Sequence, residues 1–202
     1  MSAFFDSKPY FQRLLRPTTR GLARAGVTAN QVTVATITLS LAAGAAVALW
    51  PERRWPLLIV PCALLARLAF NHIDGMLARE HGMKTPLGGM INELGDAICD
   101  AALYLPLAAV PGVSPWLVVP AAFLGLLSEM TGLSALAIAA ERRFDGPLAK
   151  KPRGVLFGVA ALVLGLGVAP GPWLDLVLLG VIVLSAATVL NRGRRALERV
   201  SP

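Results

Sequence analysis

The sequence predicts an all-α fold, an integral membrane bundle of six transmembrane helices with an N-terminal interfacial helix. Three observations point there. Hydrophobic residues fill 55% of the 202 positions and charged ones only 15%, with a mean hydropathy of +0.64; soluble domains carry about 25% charged residues. Six apolar stretches follow one another, most of them near the roughly 20 residues that a helix needs to cross a bilayer. No useful period-two alternation occurs, which argues against a transmembrane barrel.

The spans are expected at about 31–50, 55–79, 86–110, 115–140, 154–169 and 172–190, the fifth being short. Turn signals separate them: Pro51, Gly82, Pro111-Gly112, Gly146-Pro147 and Pro170-Gly171-Pro172. An even number of spans puts both termini on one side. Every basic residue except Arg53, Arg54 and Arg67 then falls on that side, which the positive-inside rule makes the cytoplasm of a multi-pass inner-membrane protein. Topology thus accounts for the net charge of +7 without a nucleic-acid partner. Residues 1–28 read as a cytoplasmic amphipathic segment, with Phe4, Phe5, Tyr10, Phe11, Leu14 and Leu15 interleaved among Lys and Arg on the leaflet. Thr28 is placed to cap the first span, and residues 29–202 form the six-helix domain. Cys62 and Cys99 lie in apolar stretches and predict buried thiols, not a disulfide.

Ionisable residues inside spans are costly and mark functional positions. The second span holds Arg67 and Asp74, the third Glu93, Asp96 and Asp100, the fourth Glu129. Arg67, Asn71, Asp74 and Ala78 share one helix face; Glu93, Asp96 and Asp100 share another, with Asn92 at its margin. The short loop between the two helices makes them antiparallel neighbours. Gly75, Gly88 and Gly89 permit close approach. Such an acidic set either binds a hard divalent cation, Mg²⁺ or Mn²⁺, or forms a polar seam in which Arg67 pairs with Asp74. His72 and His81 are weak candidates for any direct role.

The run Asn71-His72-Ile73-Asp74-Gly75-Met76-Leu77-Ala78-Arg79, followed by Gly88, Asn92 and Asp96, resembles the signature of the CDP-alcohol phosphatidyltransferase family, D-x-x-D-G-x-x-A-R, eight residues, then G-x-x-x-D-x-x-x-D. Every spacing is kept. The segment from Val27 to Thr33 is also similar to the family's lead-in to its first span. The resemblance implies a six-span transferase whose donor is a CDP-activated lipid such as CDP-diacylglycerol, whose acceptor is an alcohol and whose product is CMP, in phospholipid biosynthesis. It implies metal ligands at Asn71, Asp74, Asn92 and Asp96, with Asp96 the general base. It further implies a cytidine site at Asp74, Gly75, Ala78, Arg79 and Gly88. The first and third family aspartates are asparagine here, so the motif carries two carboxylates instead of four. Glu93 and Asp100, on the face of Asp96, are candidates to compensate as metal ligands.

A second cluster, Glu141-Arg142-Arg143-Phe144-Asp145-Gly146-Pro147 with Lys150, Lys151 and Arg153, is placed on the same cytoplasmic side. Arg142, Arg143, Lys150 and Arg153, with Glu129, are candidates to meet donor phosphates or the acceptor; an ordinary basic loop is the other reading. Small residues from Ala42 to Ala48 permit close helix contact and a homodimer. Two other functions stay open at this stage: a CDP-lipid-binding relative without catalysis, and an ion-coupled carrier using the acidic face.

Overall fold

The computed structural model describes residues 8–139, 141 and 144–199. Among them the chain is helical throughout: α1 Lys8–Arg24, α2 Ala29–Leu49, α3 Trp55–Glu80, α4 Pro86–Tyr104, a 3₁₀ turn Leu105–Ala109, α5 Pro115–Ala139, α6 Lys150–Gly165 and α7 Pro172–Glu198. α2 to α7 fall where apolar stretches were expected and α1 falls in the amphipathic segment, with one change of geometry. The third span ends as an α-helix at Tyr104, because Pro106 lacks the N–H that would continue it and the backbone tightens into 3₁₀. Phe4, Phe5, Arg142 and Arg143 lie outside the described residues.

Four of these helices, α2, α3, α5 and α7, are long and apolar enough to cross a membrane. The two others expected to do so differ for physical reasons. α4 has 19 residues and carries Glu93, Asp96 and Asp100. α6 has 16 residues, about 24 Å of helix against a hydrocarbon core of about 30 Å.

The chain divides into two compact units. The first comprises Met1–Ala42 and Cys62–Cys99, the second Ala43–Pro61 and Asp100–Pro202. The first has a small core of Ala29, Val32, Ile73 and Leu77, against which Leu15, Leu22, Ala23 and Phe70 pack. α1 is therefore held to α2 and α3 by apolar contact. Its Arg16 also pairs with Glu80 at 3.0 Å, an exposed contact that adds little. Thr28 opens α2 through a reciprocal cap: Gln31 N–H donates to Thr28 Oγ1 at 3.3 Å, and Thr28 N–H donates to Gln31 Oε1 at 2.9 Å. His72 Nδ1 lies 2.7 Å from the Leu68 carbonyl and the ring rests against Phe11, a packing role.

In the second unit α5 packs along α7. Tyr104 and Phe157 stack with ring centroids 4.0 Å apart. Ala43, Gly44 and Val47 are buried inside this unit, while Ala45 and Ala48 stay exposed. Only part of the small-residue stretch is thus left to face another molecule. Gly44 is needed for close approach, since a Cβ there would run into the backbone carbonyl of Ala102. Gly44→Ala should therefore cost about 1–3 kcal/mol, measurable as a lowered midpoint of thermal unfolding in detergent.

Candidate active site

α3 and α4 each present one polar face to a cleft of about 430 Å³ in the first unit. From α3 come Asn71, Asp74, Gly75, Ala78 and Arg79; from α4 come Gly88, Gly89, Asn92 and Asp96. The 4-3-4 and 3-4 spacings produce this, because residues three and four apart on a helix lie above one another. α2 adds Ala29, Asn30 and Thr33, and the α3–α4 loop adds Met83, Lys84 and Thr85.

The two carboxylates have different surroundings. Asp74 is buried, and Thr33 Oγ1 donates to its Oδ2 at 2.9 Å. Asp96 is half-buried; Arg67 Nη2 donates to its Oδ1 at 3.0 Å and to its backbone carbonyl at 2.9 Å. Asn71 Nδ2 adds a longer contact to the same Oδ1 at 3.4 Å, so the Asn71 carbonyl oxygen is the atom left to ligate a cation. The seam expected from sequence, Arg67 with Asp74, is replaced by Arg67 with Asp96: the cation crosses to the neighbouring helix.

The glycines serve close packing. The Arg79 side chain folds back over Gly75, where a Cβ would sit 2.7 Å from Nη2. A Cβ on Gly88 would collide with the Asn30 side chain. Thr85 caps α4, accepting the Gly88 N–H at 2.9 Å, with Pro86 in the first turn.

The donor chemistry suits a hard divalent cation. Asp74, Asp96, Asn71 and Asn92 offer only oxygen to it, the set preferred by Mg²⁺ and Mn²⁺. Among the described residues no three His, Cys, Asp or Glu side chains converge as a metal site. Two carboxylates would thus share the ion with amide, water or phosphate oxygens, a habit of magnesium.

Glu93 and Asp100 are not brought to this cleft. Glu93 is half-buried outside its lining. Asp100 is buried in the second unit, where Arg153 Nη2 donates to its Oδ2 at 3.2 Å. Sharing a helix face with Asp96 did not bring Asp100 to the same cleft.

Arg153 and Glu129 form a second cluster, with a member that sequence reasoning missed. The Arg153 guanidinium is fully buried; besides Asp100 it reaches Ser128 Oγ at 3.1 Å and Glu129 Oε1 at 3.8 Å. Arg192, equally buried, donates to Glu129 Oε1 at 3.3 Å and to the backbone carbonyls of Ser128 and Asp145. Gly125 makes room: a Cβ there would sit 2.7 Å from Arg153 Nε. Lys150, at the start of α6, is half-buried. Arg142 and Arg143 lie outside the described residues. Arg192 had looked like part of a basic terminal run, and only its distance from solvent reveals it. Thr33 was quoted within the lead-in segment, but nothing in the spacing marks it as the partner of Asp74.

Comparison with known proteins gives consistent results. The sequence profile described as CDP-alcohol phosphatidyltransferase matches residues 26–191. The chain is 38% identical over 195 residues to the inner membrane protein YnbA of Escherichia coli, covering 96% of each. It is 29% identical over 198 residues to the phosphatidylinositol phosphate synthase of Mycobacterium marinum, covering 95% of this chain and 81% of that one. Among solved structures it is similar to the Mycobacterium tuberculosis phosphatidylinositol phosphate synthase with CDP-DAG bound, at a TM-score of 0.72 and 26% identity, covering 91% and 94% of the two chains. The same protein in complex with manganese and citrate gives a TM-score of 0.71 at 26% identity, covering 90% and 88%.

Removing Arg67 would leave a half-buried carboxylate without its main donor. Arg67→Ala should lower stability by about 1–3 kcal/mol, read from thermal unfolding in detergent, and Arg67→Lys should recover part of it.

Proposed function

The chain belongs to the CDP-alcohol phosphatidyltransferase family, and from that premise we infer how its own residues carry the reaction. It is a multi-pass inner-membrane enzyme of phospholipid biosynthesis. It moves a phosphatidyl-type group from a CDP-activated lipid to an alcohol, with a divalent metal as cofactor. The donor is CDP-diacylglycerol. Its cytidine diphosphate end lies against Gly75, Ala78, Arg79 and Gly88, where missing or small side chains leave space for the ring and Arg79 hydrogen-bonds phosphate. Asp74, with Asn71, Asn92 and Asp96, holds Mg²⁺ or Mn²⁺. When bound, that ion supplies positive charge against the diphosphate oxygens.

Asp96 takes the proton from the acceptor hydroxyl. The oxygen forms a bond to the phosphorus that bears the lipid, the bond from that phosphorus to the bridging oxygen breaks, and CMP leaves with the electron pair. Arg67 keeps the Asp96 carboxylate oriented, and Arg79 stabilises charge on the departing phosphate. The observation that supports this assignment is the convergence of the motif's residues on one cleft in register with the family spacing. Glu129, Arg153, Lys150, Arg142 and Arg143 are the candidates to meet donor phosphates or the acceptor.

Topology completes the proposal. Residues 29–202 form a six-span catalytic domain, α4 and α6 crossing with the other four helices. The polar face of α4 turns inward, and short α6 is extended by its flanking residues. Residues 1–28 lie along the cytoplasmic leaflet, both termini are cytoplasmic, and the exposed small residues of α2 permit a homodimer.

Purified protein given CDP-diacylglycerol, Mn²⁺ and a panel of alcohols should release CMP; no release with any acceptor would refute the catalytic reading. EDTA should abolish turnover and added Mg²⁺ or Mn²⁺ restore it. Asp96→Ala should reduce kcat by about 10²-fold or more, and full activity in that variant would remove Asp96 as the base.

A further inference from the structure

Arg53 and Arg54 are the two loop cations that fall on the side opposite to all the others, against the positive-inside rule. They stand in the turn between α2 and α3 and line a cavity of about 410 Å³ that lies wholly within the second unit. Three loops meet there. The Arg54 guanidinium rests on Gly167, where a Cβ would sit 2.6 Å from Nη1. Pro170 rests on Gly112, where a Cβ would sit 3.1 Å from Cγ. Gly167, with a φ of +101°, turns the chain at the end of α6 and leaves the seat that Arg54 occupies.

The lining has two chemistries. Leu57, Val110 and Leu164 are buried and apolar. Glu52, Arg53 and Arg54 are exposed and give the lining a formal charge of +1. Among the described residues neither arginine forms an ion pair. All four tryptophans of the chain mark the same end: Trp50, Trp55, Trp116 and Trp173 each stand within five positions of a lining residue. Trp50 and Trp55 pack with ring centroids 5.5 Å apart, and Trp173 Nε1 donates to the carbonyl of Ala169, itself in the lining, at 3.0 Å. Tryptophan collects at the level of lipid headgroups, so the cavity lies where lipid phosphates are found.

We propose that this cavity binds an anionic phospholipid, its phosphodiester on Arg53 and Arg54 and the upper part of its chains against the apolar lining. Guanidinium groups suit phosphate oxygens, to which they offer paired N–H donors. A free phosphate would meet the cations but not the apolar lining, and a zwitterionic lipid would bring its own cation to a site that is already positive. The bound lipid would tie the α2–α3 turn to the α6–α7 loop. The topology proposed above makes this the outer leaflet; in the opposite orientation the site would stand and only the leaflet would change. The site is independent of the transferase chemistry.

The tryptophans make the site its own reporter. Protein in a neutral maltoside detergent is titrated with phosphatidylglycerol or phosphatidylcholine carrying brominated chains, and the quenching of tryptophan fluorescence is followed. Phosphatidylglycerol should reach half its effect at a mole fraction about tenfold lower than phosphatidylcholine. The double variant Arg53→Gln/Arg54→Gln should bring the two curves together, whereas Arg53→Lys/Arg54→Lys keeps the charge and should keep the preference. Excess inorganic phosphate should leave the phosphatidylglycerol curve in place. Equal curves for the two lipids in the wild-type protein would overturn the proposal, as would an anionic preference that survives in the glutamine variant. Loss of the preference in both double variants alike would assign it to loop packing and overturn the charge argument. Displacement of the brominated lipid by inorganic phosphate would overturn the proposal in favour of a free-phosphate site.

Discussion

A charged side chain in an apolar bundle must find an opposite charge or a ligand, since the desolvation cost of an isolated ion there is severe. The pairing of Arg67 with Asp96 is this constraint at its most consequential. It ties α3 to α4, orients the carboxylate assigned as the base, and leaves Asp74 on the other side of the cleft, where the Thr33 hydroxyl donates to it. The same requirement organises the second cluster, where Asp100, Glu129, Arg153 and Arg192 link the end of α4 to α5, α6 and α7 within the second unit. Removing one member of such a set would leave a buried charge without that partner, which is costly to stability.

The asparagines at positions 71 and 92 change what the cleft can do. They keep oxygen donors but remove two negative charges, and Asn71 hydrogen-bonds Asp96 in place of repelling it. Arg67 further reduces the negative charge near Asp96. Fewer charges demand fewer cations, which agrees with a donor set made of two carboxylates and two amides. The pair to which the proposed mechanism gives distinct tasks, Asp74 as ligand and Asp96 as base, is the pair that stays acidic.

Much of this was legible before the fold. Hydropathy located α2 to α7, because burial in lipid demands long apolar runs, and the interleaving of aromatic, leucine and basic residues located α1. Helical spacing placed Asn71, Asp74 and Ala78 on one face, and Asn92 and Asp96 close together on another. The reading erred where periodicity was asked to stand for distance. Asp100 is four residues from Asp96 on the same face, yet it ion-pairs with Arg153, because a helix rises about 6 Å in four residues and meets different neighbours along its length. Arg67 was grouped with Asp74 since both belong to α3, while the partner it reaches is on α4.

The sequence by itself therefore determined the helices, the membrane class, the faces that carry chemistry and the family motif, all of which depend on residues within about 26 positions of one another along the chain. Tertiary structure alone decided which charges meet. Arg153 and Arg192 stand 39 positions apart, and Glu129 stands 63 positions before Arg192. Their convergence on one oxygen depends on how α5, α6 and α7 pack, and packing is set by side-chain shape and buried volume, not by spacing along a single helix.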